Sequence, residues 1–271
     1  MGVGAAKARG RAVDGGEVVA TIAGLYGLII GSFLNVVIHR VPRGASVVRP
    51  PSACPRCDHE IAWYDNLPVL SWVLLRRRCR SCSAPIAWRY PLVEATTAGV
   101  FVAVSLSVGL KWVLGAYLFF AAVLVALSGI DIDTRKIPNA VLYPSWAVSV
   151  VLLSGGAVLD GDPGRLVWAA AGAGIGFAVL FVIWFVAPGG MGYGDVRLAG
   201  YIGLHLGYLS IGRLAVGLFL GFLAGALGGA AVLLVTGRGR GTKIPFGPFL
   251  ALGALAAVVA GQPIVDAYLS L

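Results

Sequence analysis

Residues 112–130 read WVLGAYLFFAAVLVALSGI, a run of 19 residues without a single charged side chain. The hydrocarbon core of a bilayer is about 30 Å thick, and a helix of about 20 apolar residues crosses it. A helix on the surface of a soluble protein is apolar on one face only, because its other face meets water. The run therefore predicts a membrane-spanning helix and sets the fold class for the rest of the chain.

Similar apolar runs lie on both sides of this stretch. Hydrophobic residues make up 58% of the 271 residues and charged residues only 12%, against about 25% charged in soluble domains. We predict an all-α polytopic membrane protein with about eight transmembrane helices; six or seven, with a re-entrant segment, is the alternative because the sixth run is short. The predicted spans are 18–38, 92–110, 112–130, 139–157, 166–187, 197–211, 213–236 and 245–269.

A polar segment at 39–91, rich in Pro, Arg and Cys, separates the first apolar run from the others. Placing it in the cytoplasm puts 15 of the 21 lysines and arginines on that side, as the positive-inside rule requires. The net charge of +9 then needs no nucleic acid, since the basic residues are scattered among loops. We find no convincing internal repeat. The predicted division is a tail with the first helix (1–38), a cytoplasmic loop (39–91) and a transmembrane domain (92–271).

Two aspartates lie at the predicted cytoplasmic ends of spans, Asp131 after the run 112–130 and Asp195 before the run 197–211. Carboxylates next to a span are costly unless paired or solvated, so they are functional candidates. Two carboxylates brought close together share one proton, and such a pair can activate water and polarise a carbonyl. The alternative for Asp131 and its neighbour Asp133 is ordinary solvated loop charge.

The stretch 189–194 before Asp195 reads GGMGYG. Glycine permits backbone conformations closed to other residues and allows a second chain to approach closely. Gly192 and Gly194 are therefore candidates for a loop that an extended peptide substrate contacts. A flexible turn between two spans is the alternative.

Four cysteines form two CxxC pairs, and they are the only cysteines of the chain: Cys54, Cys57, Cys79 and Cys82. Four thiolates match a structural tetrahedral zinc site. A disulfide or free thiols are the alternatives, and a disulfide is disfavoured in the reducing cytoplasm. His59 is a further ligand candidate, but a solvated loop histidine is the favoured interpretation.

Several motifs together resemble the prepilin peptidases, also called type IV leader peptidases, of the GxGD membrane aspartyl proteases. Residues 192–195 (GYGD) match the GxGD motif, and Asp131 with Pro138-Asn139 resembles its companion motif. The other resembling stretches are 31–38 (GSFLNVVI), 63–72 (WYDNLPVLSW), 89–94 (RYPLVE) and 243–249 (KIPFGPF).

The resemblance implies roles that the residues alone do not assign. Asp131 and Asp195 match the catalytic pair, whereas Asp133 does not map onto it. The implied reaction is cleavage of the basic leader from prepilin or prepilin-like proteins at the cytoplasmic edge of the bacterial inner membrane. Many prepilin peptidases with this loop also methylate the new N-terminus with S-adenosylmethionine. One position departs from the family, since Arg77 stands where a glycine is usual, and an arginine there can block a close approach.

Two functions of other classes remain at this point. A non-enzymatic membrane scaffold would use the zinc loop to bind a partner. A transporter would use the aspartates for proton coupling.

Overall fold

The computed structural model describes residues 15–187, 189, 191–236 and 244–270. This part of the chain is helical apart from two isolated β-bridges and the turns of the polar segment. The basic residues of 1–14 and 237–243, which entered the orientation prediction, lie outside it. The helices are α1 (Gly15–Arg40), α2 (Leu70–Leu74), α3 (Arg89–Val108), α4 (Leu114–Thr134), α5 (Asn139–Leu159), α6 (Arg165–Val186), α7 (Tyr193–Leu209), α8 (Ile211–Thr236) and α9 (Gly247–Leu269).

Seven of the described helices are long and apolar enough to cross a membrane: α1, α3, α4, α5, α6, α8 and α9. The sixth predicted span corresponds to α7, which has only 17 residues and is therefore about 25 Å long. Helix α7 nevertheless lies along α4 in the opposite direction, because the Tyr117 hydroxyl near the start of α4 donates to the His205 carbonyl near the end of α7. The described part of the chain therefore has seven helices of spanning length and one shorter helix inside the bundle.

Helices α4 and α7 form the centre of the bundle. Thirteen of the 17 residues of α7 are buried, whereas most of α8 faces outward. The fully buried His205 ring stacks on Phe120 with 4.0 Å between ring centroids, and Tyr201 shares a hydrogen bond of 2.9 Å with Ser149. Polar groups inside a bilayer need partners within the protein, so these contacts fix α4 and α5 against α7.

Close helix packing explains why position 203 is a glycine. A Cβ added at Gly203 of α7 would lie 2.1 Å from the carbonyl oxygen of Gly172 in α6. Any other residue at that position would push α6 and α7 apart. Small residues at such crossings allow membrane helices to pack backbone against backbone.

The helix ends differ from the predicted ones in a way that matters for the site. Helix α4 continues to Thr134 and α7 begins at Tyr193. Asp131 and Asp195 therefore lie within the last turn of α4 and the first turn of α7. The predicted spans 112–130 and 197–211 stop just short of both residues, because a charged residue ends an apolar run but does not end a helix.

Candidate active site and metal centre

Asp131 is held in the last turn of α4 and is only 4% exposed. Arg135 ends the helix in the left-handed conformation, and its N–H donates to the Asp131 carbonyl at 2.8 Å. The Asp131 side chain accepts a hydrogen bond of 3.0 Å from the backbone N–H of Gly247, the first residue of α9. This donor comes from more than 100 residues further along the chain, so tertiary structure alone brings it to the carboxylate.

Asp195 occupies the first turn of α7 and is 7% exposed. Its carboxylate accepts a hydrogen bond of 3.2 Å from the N–H of Gly192, and its own N–H donates to the Gly192 carbonyl at 3.0 Å. The free N–H groups at a helix start favour a negative side chain there. Local sequence therefore fixes the position of Asp195, in contrast to Asp131.

Both carboxylates face one open cavity of about 620 Å³. The cavity lies where the end of α4, the start of α7 and the residues after α1 meet. Its lining includes Val41, Pro42, Ile137, Gly192, Gly194 and Arg197. The structure thus brings the two predicted aspartates to one water-accessible place at one end of the bundle.

Asp133 has a different environment from Asp131, although only one residue separates them. Its carboxylate forms an ion pair of 2.7 Å with Arg89 at the start of α3. The same guanidinium donates to the Gly129 carbonyl at 3.3 Å. Asp133 does not line the cavity with the two aspartates, so its charge serves a contact between α3 and α4.

The two glycines predicted to contact a substrate, Gly192 and Gly194, both line the cavity. A Cβ at Gly194 would lie 3.2 Å from the Ile137 side chain, so this glycine lets the start of α7 pack against the chain after α4. The role of both glycines in substrate contact stays a prediction.

Sequence reasoning missed three contributions to the site. Gly247 belongs to the stretch 243–249 that resembles the family, and residue 243 of this stretch lies outside the described residues. Nothing in the sequence indicated that Gly247 contacts Asp131. Val41 and Pro42 follow α1 and belong to the segment that we predicted to be separate from the transmembrane site. Only their place beside the aspartates reveals them.

Arg197 is the third contribution and lies two residues after Asp195 in α7. Its guanidinium lies between the rings of Tyr143 and Tyr193, at 5.8 and 5.4 Å from their centroids. It also donates to the Asn139 side chain at the start of α5. The arginine therefore joins the starts of α5 and α7 beside the dyad and makes no ion pair within the described chain. Its position two residues after the GxGD motif is the signal that could have found it.

The four cysteines meet as predicted: one sulfur from each of Cys54, Cys57, Cys79 and Cys82 lies within 4.8 Å of the others. Zn–S bonds of about 2.3 Å place the sulfurs of a tetrahedral site about 3.8 Å apart, and the sulfurs of Cys54 and Cys82 are 3.8 Å apart. The residues fit zinc, and His59 is not part of the cluster.

The cysteine segment contains a short internal repeat that we had not found in the sequence. Residues 54–63 and 79–88 share the pattern CxxCxxxIAW. In each copy the first cysteine's N–H donates to the carbonyl five residues later, at 3.0 and 2.8 Å. The residue after each second cysteine, Asp58 or Ser83, has a positive φ. The expectation of no repeat was therefore wrong for this segment, because a repeat of only ten residues, five of them identical, gives a weak signal in a chain of 271 residues.

Arg77 adopts a positive φ of 63°, and its guanidinium lies 5.7 Å from the Trp72 ring centroid. Glycine adopts this conformation at no steric cost, whereas other residues are strained. A backbone requirement thus accounts for a glycine at this position, and close approach of a cofactor is not needed to explain it.

The comparisons with known proteins cover both parts of the chain. The family model described as "Bacterial Peptidase A24 N-terminal domain" matches residues 25–108, and the model described as "Type IV leader peptidase family" matches residues 118–265. The second match includes Asp131, Asp195 and Gly247.

Curated relatives carry the name "Prepilin leader peptidase/N-methyltransferase". The relative from Aeromonas hydrophila is 38% identical, over 91% of this chain and 92% of its own length. Those from Pseudomonas aeruginosa and Bacillus subtilis (strain 168) are 34% and 32% identical, over 90% and 91% of this chain and 91% and 96% of their own lengths. No solved structure was found to match the chain.

Proposed function

Because this chain belongs to the type IV leader peptidase family, we propose that it cleaves the leader from prepilin or prepilin-like proteins with Asp131 and Asp195 as the catalytic pair. One observation carries this assignment, namely that the two buried carboxylates face the same open cavity. The protein is a multi-pass protein of the bacterial inner membrane.

The geometry supports hydrolysis without a covalent intermediate. Two close carboxyl groups hold one proton between them, so one removes a proton from water while the other polarises the scissile carbonyl. The N–H groups of Gly247 and Gly192 each donate to the Oδ2 atom of one aspartate, which leaves the Oδ1 atoms for water and substrate. A site at the helix ends suits a substrate whose apolar helix lies in the bilayer and whose leader stays in the cytoplasm.

Single substitutions test the assignment in a leader-cleavage assay with a prepilin-type substrate. Asp131→Asn and Asp195→Asn are each expected to lower the rate by about 10²–10⁴-fold, the usual contribution of an acid or base. Asp133→Asn is the matched control, and we expect it to lose less than about tenfold because an exposed ion pair contributes little. Cleavage retained in both of the first variants would refute the peptidase assignment.

The second proposed activity is methylation of the new N-terminus, and it is supported by the word "N-methyltransferase" in the names of the relatives. We propose that Cys54, Cys57, Cys79 and Cys82 hold a structural zinc ion and that residues 39–91 are the methylating region. S-adenosylmethionine would supply the methyl group, and a closed four-cysteine site would fold the region without taking part in the transfer. Parallel assays of cleavage and methylation on one substrate separate the two activities.

The scaffold and transporter readings are not favoured. Relatives that span most of this chain carry enzyme names, and the two aspartates line one open cavity. We propose that residues 92–271 are the peptidase domain. Val41 and Pro42, which lie outside this range, form part of the cavity wall.

A further inference from the structure

Helix α2 shows an inverted distribution of polar and apolar side chains. Ser71 is buried, at 6% exposure, and its hydroxyl is satisfied by the Tyr64 carbonyl and the Leu67 N–H. Leu70, Val73 and Leu74 are 52%, 58% and 69% exposed, and their i, i+3, i+4 spacing puts them on one face. A helix in water turns its polar face outward, so the outer face of α2 is built for an apolar environment.

The position of α2 relative to the spans indicates which environment this is. The N–H of Val69, which precedes α2, donates to the Glu94 carboxylate at 2.7 Å. Glu94 lies five residues into α3, about 7.5 Å from the start of that span. Helix α2 is therefore held beside the second turn of α3, a helix that is long and apolar enough to cross a membrane.

The charge beside α2 fits the same surroundings. Arg76 and Arg78 follow the helix, are exposed and form no ion pair within the described chain. Residues 41–88 contain seven arginines against three carboxylates. Basic side chains next to an apolar face are the pattern of segments that lie on an anionic leaflet.

We propose that α2 is an interfacial helix that inserts Leu70, Val73 and Leu74 among the acyl chains of the cytoplasmic leaflet, with Arg76 and Arg78 on anionic headgroups. The zinc-binding segment is then a membrane-lying module with one face fixed to lipid, which leaves its other face toward the cytoplasm. This attachment holds the segment at the level where Asp131 and Asp195 lie, whether or not those residues cleave a leader.

Photolabelling tests the proposal on the full chain in nanodiscs of phosphatidylethanolamine and phosphatidylglycerol. A phospholipid with a diazirine in its acyl chain, near the headgroup, is expected to label residues 70–74 several times more than the segment around Val48. Val48 is the matched control because it is 79% exposed in the same polar segment. Replacing phosphatidylglycerol with phosphatidylcholine is expected to lower the labelling, as is Arg76→Ala with Arg78→Ala.

A variant with Leu70→Ser, Val73→Ser and Leu74→Ser is expected to lose the labelling while zinc content shows that the segment stays folded; Val48→Ser is expected to keep it. Labelling of 70–74 in the native protein no stronger than around Val48 would overturn the proposal. Protection of 70–74 from hydrogen exchange only after a prepilin-type peptide is added, or only at high protein concentration, would instead assign the face to a substrate or to a second copy of the chain.

Discussion

The cysteine cluster and the aspartate cleft, which is the cavity lined by Asp131 and Asp195, are assembled in opposite ways. Every ligand of the cluster comes from residues 54–82, and short backbone hydrogen bonds within two similar turns position them. The cleft instead combines Asp131 of α4, Asp195 of α7, Gly247 of α9, which donates to Asp131, and Val41, the residue after α1. A local site can be lost by removing one ion, whereas a site assembled from four helix ends depends on packing throughout the bundle.

The largest expected effect is that of losing zinc, which should disrupt the cysteine cluster and leave the aspartate cleft largely intact. Structural zinc contributes about 10–16 kcal/mol of apparent binding energy to small zinc domains, so Cys79→Ser is expected to unfold residues 52–88 and abolish methylation. Leader cleavage should fall by no more than about tenfold, because the buried helices α4 and α7 hold the aspartates without the ion. Zinc content, limited proteolysis and parallel activity assays measure these effects. His59→Ala is the control and should keep zinc; equal loss of both activities in Cys79→Ser would mean that the regions are not separable.

Gly247→Ala should have the converse effect. The new Cβ would lie 2.9 Å from the Asp131 carboxylate, so the carboxylate must move, and a displacement near 1 Å can cost about 10²-fold in rate. Zinc content and methylation should stay normal. Gly174→Ala in α6 is the control, since a Cβ there meets no described atom within 4 Å. A Gly247→Ala variant with an unchanged cleavage rate would show that Gly247 does not position Asp131.

The ion pair between Arg89 and Asp133 joins the two regions, since Arg89 begins α3 directly after the second cysteine turn and Asp133 lies in the same helical turn as Asp131. Arg89→Asp places two carboxylates together and is expected to lower cleavage by about tenfold, which corresponds to about 1.4 kcal/mol. Adding Asp133→Arg to that variant restores the pair with reversed charges and should recover most of the rate. No recovery in the double variant would show that the effect of Arg89 does not pass through Asp133.

Arg77→Gly should produce the smallest effect, and its sign is opposite to that of the other substitutions. Relief of the left-handed conformation is worth about 1–2 kcal/mol, part of which the greater freedom of glycine in the unfolded chain offsets. The cysteine segment should therefore hold zinc against a chelator more firmly than the native segment. Arg78→Gly is the matched control and should weaken retention, because Arg78 has no positive φ. Faster zinc loss from Arg77→Gly would show that stacking on Trp72 outweighs the strain.

The sequence predicted the cysteine cluster better than the cleft for a physical reason. The two CxxC pairs identify the candidate ligands directly, and the segment between the pairs is short enough for the four cysteines to meet. Asp131 and Asp195 were identified by their unusual cost near a span and by the motifs around them. Their burial, the donor N–H of Gly247 and the aromatic enclosure of Arg197 depend on how helices pack, and hydropathy does not encode that.

The same contrast holds for the spans. Apolar runs predicted the membrane helices and the alternative of seven long ones, because the thickness of the bilayer fixes the length that a span requires. They misplaced the ends next to both aspartates, since hydropathy changes where charge begins and the helical hydrogen bonds continue further. They also gave no sign that α7 would be the most enclosed helix of the bundle.

The sequence by itself determined that this chain crosses the membrane repeatedly, that its four cysteines are a candidate metal site, and that Asp131 and Asp195 are the carboxylates to examine. These properties follow from composition and spacing along the chain. Only the tertiary structure decided that Asp133 is tied to Arg89, that Gly247 and Val41 complete the cleft, and that α2 turns its apolar face outward. Such properties arise from contacts between helices that are far apart in sequence, and no local pattern carries them.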